Sequence, residues 1–500
     1  MWKISLEDAY MRFAQILSLA AVPMFLLACG DDSSGFPSNP GSSENPADPP
    51  KDSIPENIPD SLLKPITRDY SLIWQGEGTA ENPYQISNEE DLRKVAFYVN
   101  DSSMAFRDKF FKQTADIALT KAWSPIGIFG KNAYGYGNRP FSGTYDGGSK
   151  SISGLTISDT ASYSGLFGLI RGAKVSNVVI KGAKMSVGSI AGVLSGLADS
   201  VTVENCTIEN AEIKGADRVG ALFGEAKYVT VTNVSVTGSV SGTNNIGGVL
   251  GSVQNGTLTN LTNSATVTGK STVGGIVGGS SGVSDPSSIS MAMNNGTVSG
   301  TKDVGGVIAT LSNTKLEKSG NAGAVSADES QMSNVGGVVA VASNKSVVNE
   351  VFNKGSVTAK KVQTAGGVIG SIKSITVTNI FNIGEVSGNA SNIGGLAGIV
   401  DGDSKLESSY NAGKVPNENN SGTVAGKVTA AATVSNVYYD KTVGGTCLVV
   451  ASQMDLVLPT GFATEEMKAA TFVSTLNGTG ATWSIDPAKF GGYPSFSWAN

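Results

Sequence analysis

The chain has 500 residues, no histidine and a formal net charge of −6, with a sequence pI near 5.0. The absence of histidine excludes histidine-based nucleophile systems and the HExxH zinc motif, and the acidic balance leaves no basic surface for nucleic acid. Glycine supplies 63 residues, well above the usual ~7%, which favours a repeat array over three ordinary domains.

The first 28 residues are predicted to be a lipoprotein signal peptide. Residues 13–28 form an apolar run that is shorter than the ~20 residues of a spanning helix and fits a signal-peptide core. The run ends in Leu26-Leu27-Ala28-Cys29, which resembles a bacterial lipobox, and this resemblance implies a lipid on Cys29. Because residues 1–10 include acidic positions where a basic region is expected, we predict that Met11 is the true start.

Residues 29–69 are predicted to be a disordered linker. The stretch is rich in Ser, Pro, Asn and Asp, with few large apolar residues, so it cannot bury enough surface to order itself. A proline-rich tract of this length would hold the following domain up to ~100 Å from a lipid anchor.

Residues 70–158 are predicted to form an N-terminal cap and the first coils. Ser87 with Glu90 matches a capping box at the start of a helix, and the apolar positions that follow define one face of it. Strand-like stretches follow at 110–119 and 151–157. A solenoid needs such a cap because its end strand has unpaired backbone groups.

Residues 159–437 repeat one phrase of two small residues, apolar residues and another small one. Successive copies start 27 to 31 residues apart, at Ser164, Ala191, Gly220, Gly247, Gly274, Gly305, Gly336, Gly366, Gly394 and Ser421. Each repeat also has an alternating Val/Ile/Thr stretch and an Asn-x-Gly-x-Val turn, so we predict three short strands per coil. The period is below the ~40 residues of a propeller blade, and the sequence therefore predicts an all-β, right-handed parallel β-helix of about ten coils with small helix-containing caps.

Two columns of side chains are predicted to stack between coils. One is a structural ladder of asparagines in successive repeats, Asn263, Asn294, Asn321, Asn353, Asn382 and Asn411. The other consists of the aromatic residues Phe352, Phe381 and Tyr410, each just before a ladder asparagine. We expect these rings in the apolar interior, and the alternative is an exposed platform for sugar rings.

Residues 438–500 are predicted to be a C-terminal cap that closes the interior. Thr464 is expected to cap a helix running to Leu476, followed by a cluster of aromatic residues that includes Trp498. Cys206 and Cys447 lie about eight coils apart, roughly 40 Å, so we expect packing residues rather than a disulfide.

The repeated phrase resembles the GLUG motif of bacterial surface and secreted proteins. The clearest copies are Ser164-Gly165-Leu166-Phe167-Gly168, Gly220-Ala221-Leu222-Phe223-Gly224 and the Gly-Gly copies that follow. The resemblance covers most of residues 74–500. It implies a β-helical stalk or adhesin-like module on a bacterial surface, and the family provides no catalytic residues to transfer.

These observations favour a non-catalytic, lipid-anchored protein of the cell envelope, at the outer membrane or cell surface, with no cofactor and no metal. Its expected partners are the membrane, through the lipid, and an extracellular glycan or a surface protein of a host or neighbouring cell. The alternative is a protein that binds or cleaves polysaccharide, because β-helices also host such enzymes. The acids that a cleaving enzyme would use are scattered at Asp217, Asp303, Glu385, Asp401 and Asp403.

Other positions are candidates for binding. The loop with Tyr134 and Tyr136 and the residue Trp498 could contact sugar rings. Asp401-Gly402-Asp403 could bind a cation, but a solvated turn is expected. Since the Gly-Gly phrase is explained as scaffold, we predict functional residues where the repeat is broken: the longer coils between Gly274 and Gly366, the N-terminal loop and the caps.

Overall fold

The computed structural model describes residues 73–499, apart from 103–105, 131–136, 159, 329–331, 417–420, 445–449 and 452–457. The predicted signal peptide, Cys29, the whole predicted linker over residues 29–69, the Tyr134–Tyr136 loop and Cys447 therefore lie outside the described residues. The fold is a parallel β-solenoid of about 12 turns with few helices.

The helices are α1 (Glu89–Ser102), α2 (Thr464–Met467) and α3 (Ala470–Asn477), with 3₁₀ turns at Phe490–Gly492 and Ser497–Ala499. The strands before the fourth repeat are β1 (Tyr84–Ile86), β2 (Phe110–Gln113), β3 (Ile117–Ala118), β4 (Thr144–Asp146), β5 (Ser151–Ser153), β6 (Thr156–Ser158), β7 (Phe167–Arg171), β8 (Lys174–Ser176), β9 (Val179–Lys181), β10 (Lys184–Ser186), β11 (Ser195–Asp199), β12 (Thr202–Lys214), β13 (Asp217–Val219), β14 (Phe223–Lys227), β15 (Thr230–Ser241) and β16 (Asn244–Gly247).

The middle strands are β17 (Leu250–Gln254), β18 (Thr257–Asn263), β19 (Thr266–Thr268), β20 (Ser271–Gly274), β21 (Val277–Ser281), β22 (Ser287–Asn294), β23 (Val298–Gly300), β24 (Lys302–Gly305), β25 (Ile308–Ser312), β26 (Thr314–Asn321), β27 (Val325–Asp328), β28 (Asn334–Gly336), β29 (Val339–Ser343) and β30 (Val347–Asn353). The last are β31 (Val357–Gly366), β32 (Ile369–Lys373), β33 (Thr376–Asn382), β34 (Val386–Gly394), β35 (Ala397–Asp401), β36 (Lys405–Asn411), β37 (Ser421–Gly422), β38 (Ala425–Val428), β39 (Thr433–Asp440), β40 (Val450–Ala451), β41 (Thr460–Phe462), β42 (Trp483–Ser484) and β43 (Ser495–Phe496).

Each central coil crosses two faces of the solenoid. Strand β17 lies in an 11-stranded parallel sheet, which we call the narrow sheet, and β18, β19 and β20 lie in a 30-stranded sheet, the wide sheet. A central coil thus has four strand segments rather than the predicted three. A turn in which an asparagine side chain takes over backbone hydrogen bonds separates the second segment from the third. It is Asn263-Ser264-Ala265 in this coil and has the Asn-x-Gly form at Asn321-Ala322-Gly323 two coils further on.

One continuous apolar core fills the solenoid. In the wide sheet, Tyr84, Phe111 and Tyr145 pair in register with one another and then with Val175 of the next coil. This inward column continues through the middle coils to Val434, and its side chains are buried. The stack therefore begins before the first Gly-Gly phrase, which explains why the structure has more turns than the phrase has copies.

The second glycine of the phrase is required by the asparagine ladder. A Cβ on Gly306 would collide with the side chain of Asn321 in the same coil, and with the carbonyl of Gly337 in the next. The same collision with a ladder asparagine occurs at each of the other Gly-Gly copies, Gly248, Gly275, Gly337, Gly367 and Gly395. Where the equivalent position is Ala221 or Thr423, the coil has no ladder asparagine.

Helix α1 covers the apolar core near the N-terminal end. Its inward face consists of Leu92, Val95, Ala96 and Val99, which belong to the continuous core. The predicted cap is wrong by one residue: Asn88, not Ser87, precedes the helix, and its Oδ1 accepts the Asp91 N–H at 2.9 Å. Asp91 in turn accepts the Ser87 N–H at 3.1 Å, so an Asn–Asp pair replaces the expected Ser–Glu pair.

Glu89 in the first turn of α1 should make stability depend on pH. Hydrogen bonds from Thr120, then from Arg93, lower the pKa of this carboxyl from 4.5 to about 2. A lowered folded-state pKa adds stability above pH 4.5, which is lost as the pH falls towards 2. We expect Glu89→Gln to lower the melting temperature at pH 6 and to have a vanishing effect near pH 2. Glu90→Gln, at an exposed ion pair with Lys94, is the control and should change little at either pH.

The C-terminal segment lies along the flank of the solenoid, which corrects the prediction that it closes the interior. After β41 pairs with β39, the chain folds back as α2, α3 and the antiparallel pair β42–β43. Its apolar residues pack on Phe352, Phe381 and Tyr410 in a cluster separate from the continuous core. We call residues 463–499 the clamp, because they bind across several coils.

The three aromatic rings point outward, so the predicted interior stack is also wrong. In β33, Ile380 and Asn382 face inward and Phe381, between them, must face outward because side chains alternate along a strand. The Phe381 ring stacks on Phe352 and Tyr410 with centroids 5.3 Å apart in each case. Although they face outward, all three rings are buried beneath the clamp.

A buried carboxylate fixes the start of the clamp. Asp440 at the end of β39 accepts hydrogen bonds from the hydroxyls of Thr464 and Tyr493, each at 2.7 Å. Thr464 is therefore not the helix cap that its sequence suggested: Glu466 accepts the Ala463 N–H at 2.6 Å instead. The predicted single helix to Leu476 is also divided into α2 and α3.

Candidate ligand-binding groove

An open groove of about 380 Å³ lies on the outer face of the narrow sheet, across β14, β17, β21 and β25. Four strands at ~4.8 Å spacing make it about 14 Å long in the axial direction. Its lining comes from Glu225, Ala226, Lys227, Asn245, Ser252, Val253, Gln254, Gly279, Ser280, Ser281, Thr310 and Ser312.

The groove lies where two outward columns change from long side chains, such as Glu225 and Lys227, to short ones, such as Gly279 and Ser281. Glu225, Ser252, Gly279 and Thr310 pair in register on successive strands. The second column, two residues further along each strand, consists of Lys227, Gln254, Ser281 and Ser312. Since Gly279 has no side chain, the floor is lowest at the third strand, and the flanking residues offer hydroxyl and amide groups.

The charged residues at one end of the groove balance one another. Lys227 Nζ lies 2.9 Å from Glu225 Oε1, and Arg218 Nε lies 3.5 Å from Glu225 Oε2. Arg218 also contacts Asp217 at 3.2 Å. Two cations and two carboxylates sum to zero charge, so this end of the groove has no net field to attract a polyanion or a polycation.

An exposed tyrosine stands beside the groove. Tyr228 follows Lys227 at the corner where the chain leaves the narrow sheet, and its side chain is 56% exposed. After β21 the corner residue is Gly282. In seven other coils the same corner has positive φ, at Gly172, Ser200, Asn255, Asn313, Asn344, Ser374 and Gly402. Tyr228 adopts φ 52° there, a conformation in which a bulky residue is an outlier.

The longest coils also contribute to this rim. Five residues, 282–286, connect β21 to β22, whereas two residues connect β17 to β18. The extra loop is tied to the neighbouring coil because Asn255 donates to the Asp285 carbonyl at 2.7 Å. Val283 at its tip is 65% exposed. Part of the predicted break in the repeat therefore lies next to the groove.

Replacing Tyr228 by asparagine should stabilise the protein. Left-handed backbone costs a non-glycine residue about 1–2 kcal/mol, and asparagine tolerates it best because its side chain can bond to the local backbone. We expect Tyr228→Asn to raise the unfolding free energy by about 1 kcal/mol, measured by urea denaturation. Tyr228→Phe keeps the ring and the strain, so it should leave stability unchanged. An equal gain in both variants would contradict the argument from φ.

The structure does not bring the predicted acids together. The column of Asp217 in the wide sheet continues through Asn244 and Ser271 to Lys302, the residue before Asp303. Asp217 and Asp303 thus stand three coils apart, which is about 14 Å. Asp303 accepts hydrogen bonds from Asn334, and Glu385 pairs with Lys414 at 3.7 Å. Paired carboxylates of glycosidases stand about 5–9.5 Å apart, so Asp217 and Asp303 cannot act as such a pair.

Asp401 and Asp403 flank a turn at Gly402, which has φ 67°, and Asp403 is exposed. Among the described residues, no group of three or more His, Cys, Asp or Glu side chains could hold a metal ion. In the same part of the chain, no helix is long and apolar enough to cross a membrane.

The predicted sugar platform of Phe352, Phe381 and Tyr410 is covered by the clamp and offers no open surface. Trp498, another candidate, is part of that cover, and its Nε1 donates to Glu350 Oε2 at 2.9 Å. The remaining candidate, the Tyr134–Tyr136 loop, lies outside the described residues.

The ladder asparagines form an uninterrupted internal chain of hydrogen bonds. Each Nδ2 donates to the Oδ1 of the next coil at 2.8–2.9 Å, from Asn263 to Asn411. Asn321 also donates to the Gly323 carbonyl and accepts the Gly323 N–H. All six are completely buried, so this ladder supports the scaffold rather than a ligand.

A second, exposed ladder was not predicted. Asn260 donates to Asn233, Asn233 to Asn205, Asn205 to Asn177, and Asn177 to Asp146. These four asparagines have φ between 53° and 57°, the left-handed corner that asparagine tolerates. The recurrence of asparagine at one place in four coils was the sequence signal.

Cys206 is a buried free thiol. Desolvation raises its pKa to about 12, which keeps it protonated and chemically inert. Its neighbour on the next coil is Val234, in agreement with a role in packing.

No family model matches this sequence. The chain is 29% identical over 136 residues to Halomucin of Haloquadratum walsbyi, a match covering 26% of this chain and 1% of that protein. It is 33% identical over 150 residues to a provisionally named Gly-rich membrane protein of Evansella cellulosilytica, covering 27% of this chain and 16% of that protein. The chain thus spans only a small part of either relative.

Among solved structures, the chain is similar to a provisionally assigned immunoglobulin A1 protease from Bacteroides ovatus. That match covers 85% of this chain and 95% of the other, with 15% sequence identity and a TM-score of 0.30.

Sequence reasoning missed Glu225, Lys227 and Gly279 as groove residues. The outward positions are visible only once the coils are aligned on the narrow-sheet strands, since each strand alternates between core and surface. The available signal was a second glycine, Gly279, directly after the phrase Gly274-Gly275-Ile276-Val277-Gly278.

Proposed function

We propose that this chain is a lipid-anchored bacterial cell-surface protein whose solenoid is a non-catalytic binding stalk. The observation that carries this proposal is the open polar groove on a regular solenoid. Its hydroxyl, amide and paired charged groups suit a reversible hydrogen-bonded contact with an extracellular partner.

The absence of a candidate catalytic arrangement in the groove favours binding over cleavage. Glu225 is the one acid among the residues that line the groove, and it is paired with Arg218 and Lys227. Glycosidases use two acids that face each other across the substrate. The predicted acids Asp303 and Glu385 have partners of their own elsewhere.

Surface location is supported by three sequence features: the lipobox-like Leu26-Leu27-Ala28-Cys29, the linker over residues 29–69 and the GLUG-like phrase. One relative's name also refers to a membrane. A lipid on Cys29 would anchor the chain, and the linker would hold the solenoid and its groove away from the bilayer.

The location is tested by labelling cells with a palmitate analogue and by digesting intact cells with proteinase K. We expect Cys29 to be labelled, Cys29→Ser to lose the label, and the intact chain to be cleaved without cell lysis. Cys206→Ser is the control and should keep the label. An unlabelled chain that is protected from proteinase K until the cells are lysed would refute the proposal.

Deleting residues 1–10 should leave export unchanged if Met11 is the true start of the chain.

A further inference from the structure

We propose that the groove binds a short segment of an uncharged polysaccharide, with Tyr228 stacking against a sugar ring. This inference rests on the proposed binding function and specifies its ligand class. It combines three observations that concern the same few coils: the groove, the balanced charges at its end and the exposed tyrosine at its rim.

The first argument concerns the chemistry of the lining. Ser252, Gln254, Ser281 and Thr310 supply hydroxyl and amide groups, which can each donate and accept hydrogen bonds. Sugar hydroxyl groups have the same dual capacity. A carbohydrate therefore matches the groove lining, where hydrogen-bond donors and acceptors alternate and no large apolar pocket is present.

The second argument concerns charge. Lys227 and Arg218 are the cations at the groove, and both are paired with Glu225. A polyanion would have to displace Glu225, and a polycation would have to displace Lys227 or Arg218. A neutral polymer can bind without breaking either ion pair, so no charged side chain has to be separated from its partner.

The third argument concerns Tyr228. Every other residue at this corner from Gly172 to Gly402 is Gly, Ser or Asn, so the large ring serves no repeated structural purpose. A strained backbone at an exposed position points to a role outside the fold. The ring has a large apolar face and a polar hydroxyl, which suits contact with a sugar ring whose C–H face is apolar and whose edges are polar.

The groove also has a defined direction and length. Its two columns run across successive strands, and therefore along the solenoid axis. At about 14 Å long, it suits a short oligosaccharide segment rather than a single sugar. Because the groove is open, the polymer can continue beyond both of its ends.

The test measures binding of the purified full chain by affinity electrophoresis and calorimetry. The neutral probes are dextran, mannan, laminarin, xyloglucan and amylose, and the charged probes are polygalacturonate and heparin. We expect at least one neutral polymer to bind and the charged polymers not to bind. Binding only to charged polymers, binding to none of the probes, or release of new reducing ends would each overturn the proposal.

Two variants locate the site. Gly279→Gln fills the floor. The added Cβ would lie 3.2 Å from the Thr310 hydroxyl and in ordinary contact with Asn245 and Thr272, so no backbone atom obstructs it. Tyr228→Asn removes the ring from the rim. We expect each to weaken binding at least tenfold, with no loss of stability in the tyrosine variant. Unchanged affinity in both would place the ligand elsewhere.

Matched controls separate the site from general surface effects. Ser371→Gln makes a comparable addition in the same outward column, two strands beyond Thr310 and outside the groove, and should leave affinity unchanged. Tyr228→Phe should retain most of it. If the partner were instead a protein, binding of the chain to cells would survive periodate treatment of those cells. Because these measurements use purified chain, their failure is distinct from failure of surface location, which labelling and proteolysis measure.

Discussion

Replacing Asn321 by alanine should destabilise the central coils by about 4 kcal/mol or more, at about 1 kcal/mol or more for each buried group left without its partner. Asn321 is completely buried and makes four hydrogen bonds, with Asn294, Asn353 and both backbone groups of Gly323. The amide has two donor hydrogens and two acceptor sites, so its capacity is fully used.

The effect is best measured by thermal unfolding together with hydrogen exchange, because a repeat protein can lose coils locally. Amides near Gly323 should lose protection before those near Val203. The control is Asn260→Gly, at the end of the exposed ladder, which removes one exposed hydrogen bond and retains the left-handed backbone. It should cost less than about 1 kcal/mol. If the two variants were equally mild, the internal ladder would not be a main source of stability.

The second large effect is expected at the clamp. Phe381 is completely buried and its ring packs on both neighbours in its column as well as on Trp483, Phe490 and Phe496 of the clamp. Removing a buried phenylalanine side chain costs about 3–5 kcal/mol. We expect Phe381→Ala to release the clamp, so that trypsin cleaves at Lys468 under conditions where the parent chain is resistant.

Phe97→Ala provides the comparison, since Phe97 is 52% exposed on α1. This substitution should change stability by less than about 0.5 kcal/mol and leave Lys468 protected. A clamp that stayed resistant to trypsin in Phe381→Ala would mean that Asp440 and its partners Thr464 and Tyr493 suffice to hold it.

The repeat period predicted the solenoid because each coil must satisfy the same local constraints. The Asn-x-Gly turn and the Gly-Gly phrase recur together since a ladder asparagine needs a neighbour without a Cβ, as at Asn321 and Gly306. Such local rules are visible in one repeat and are confirmed by the fold. The number of turns was underestimated, because the N-terminal coils stack without the phrase.

The location of the clamp could not be predicted in the same way. The sequence identified the aromatic column but not whether its rings face the core or the surface. The inward–outward alternation of side chains restarts at the left-handed corner residue Glu350, with φ 54°. The position of this corner decides which way the rings face. Which element covers the column depends on contacts between residues as far apart as Glu350 and Trp498. Sequence periodicity carries no information about contacts at that separation.

The groove was hidden for a different reason. The candidates chosen from sequence were acids and aromatic rings, the residue types that usually carry chemistry. The structure instead places Ser252 and Gly279 in a column that has large side chains in several other coils, such as Leu169, Ile399 and Lys427. The groove is a depression that arises where side chains are short or absent. A missing side chain becomes apparent only after the strands have been aligned in register.

The clamp has a consequence for how the chain is made. Residues 463–499 are synthesised after the coils that they cover, and a chain exported with its N-terminus leading would deliver them to the outside after those coils. Until then, the outward rings of Phe352, Phe381 and Tyr410 have no cover, and an uncovered apolar face invites aggregation or capture by chaperones. Synthesis of the clamp is thus coupled to solubility, because a chain terminated before residue 463 would keep these rings uncovered.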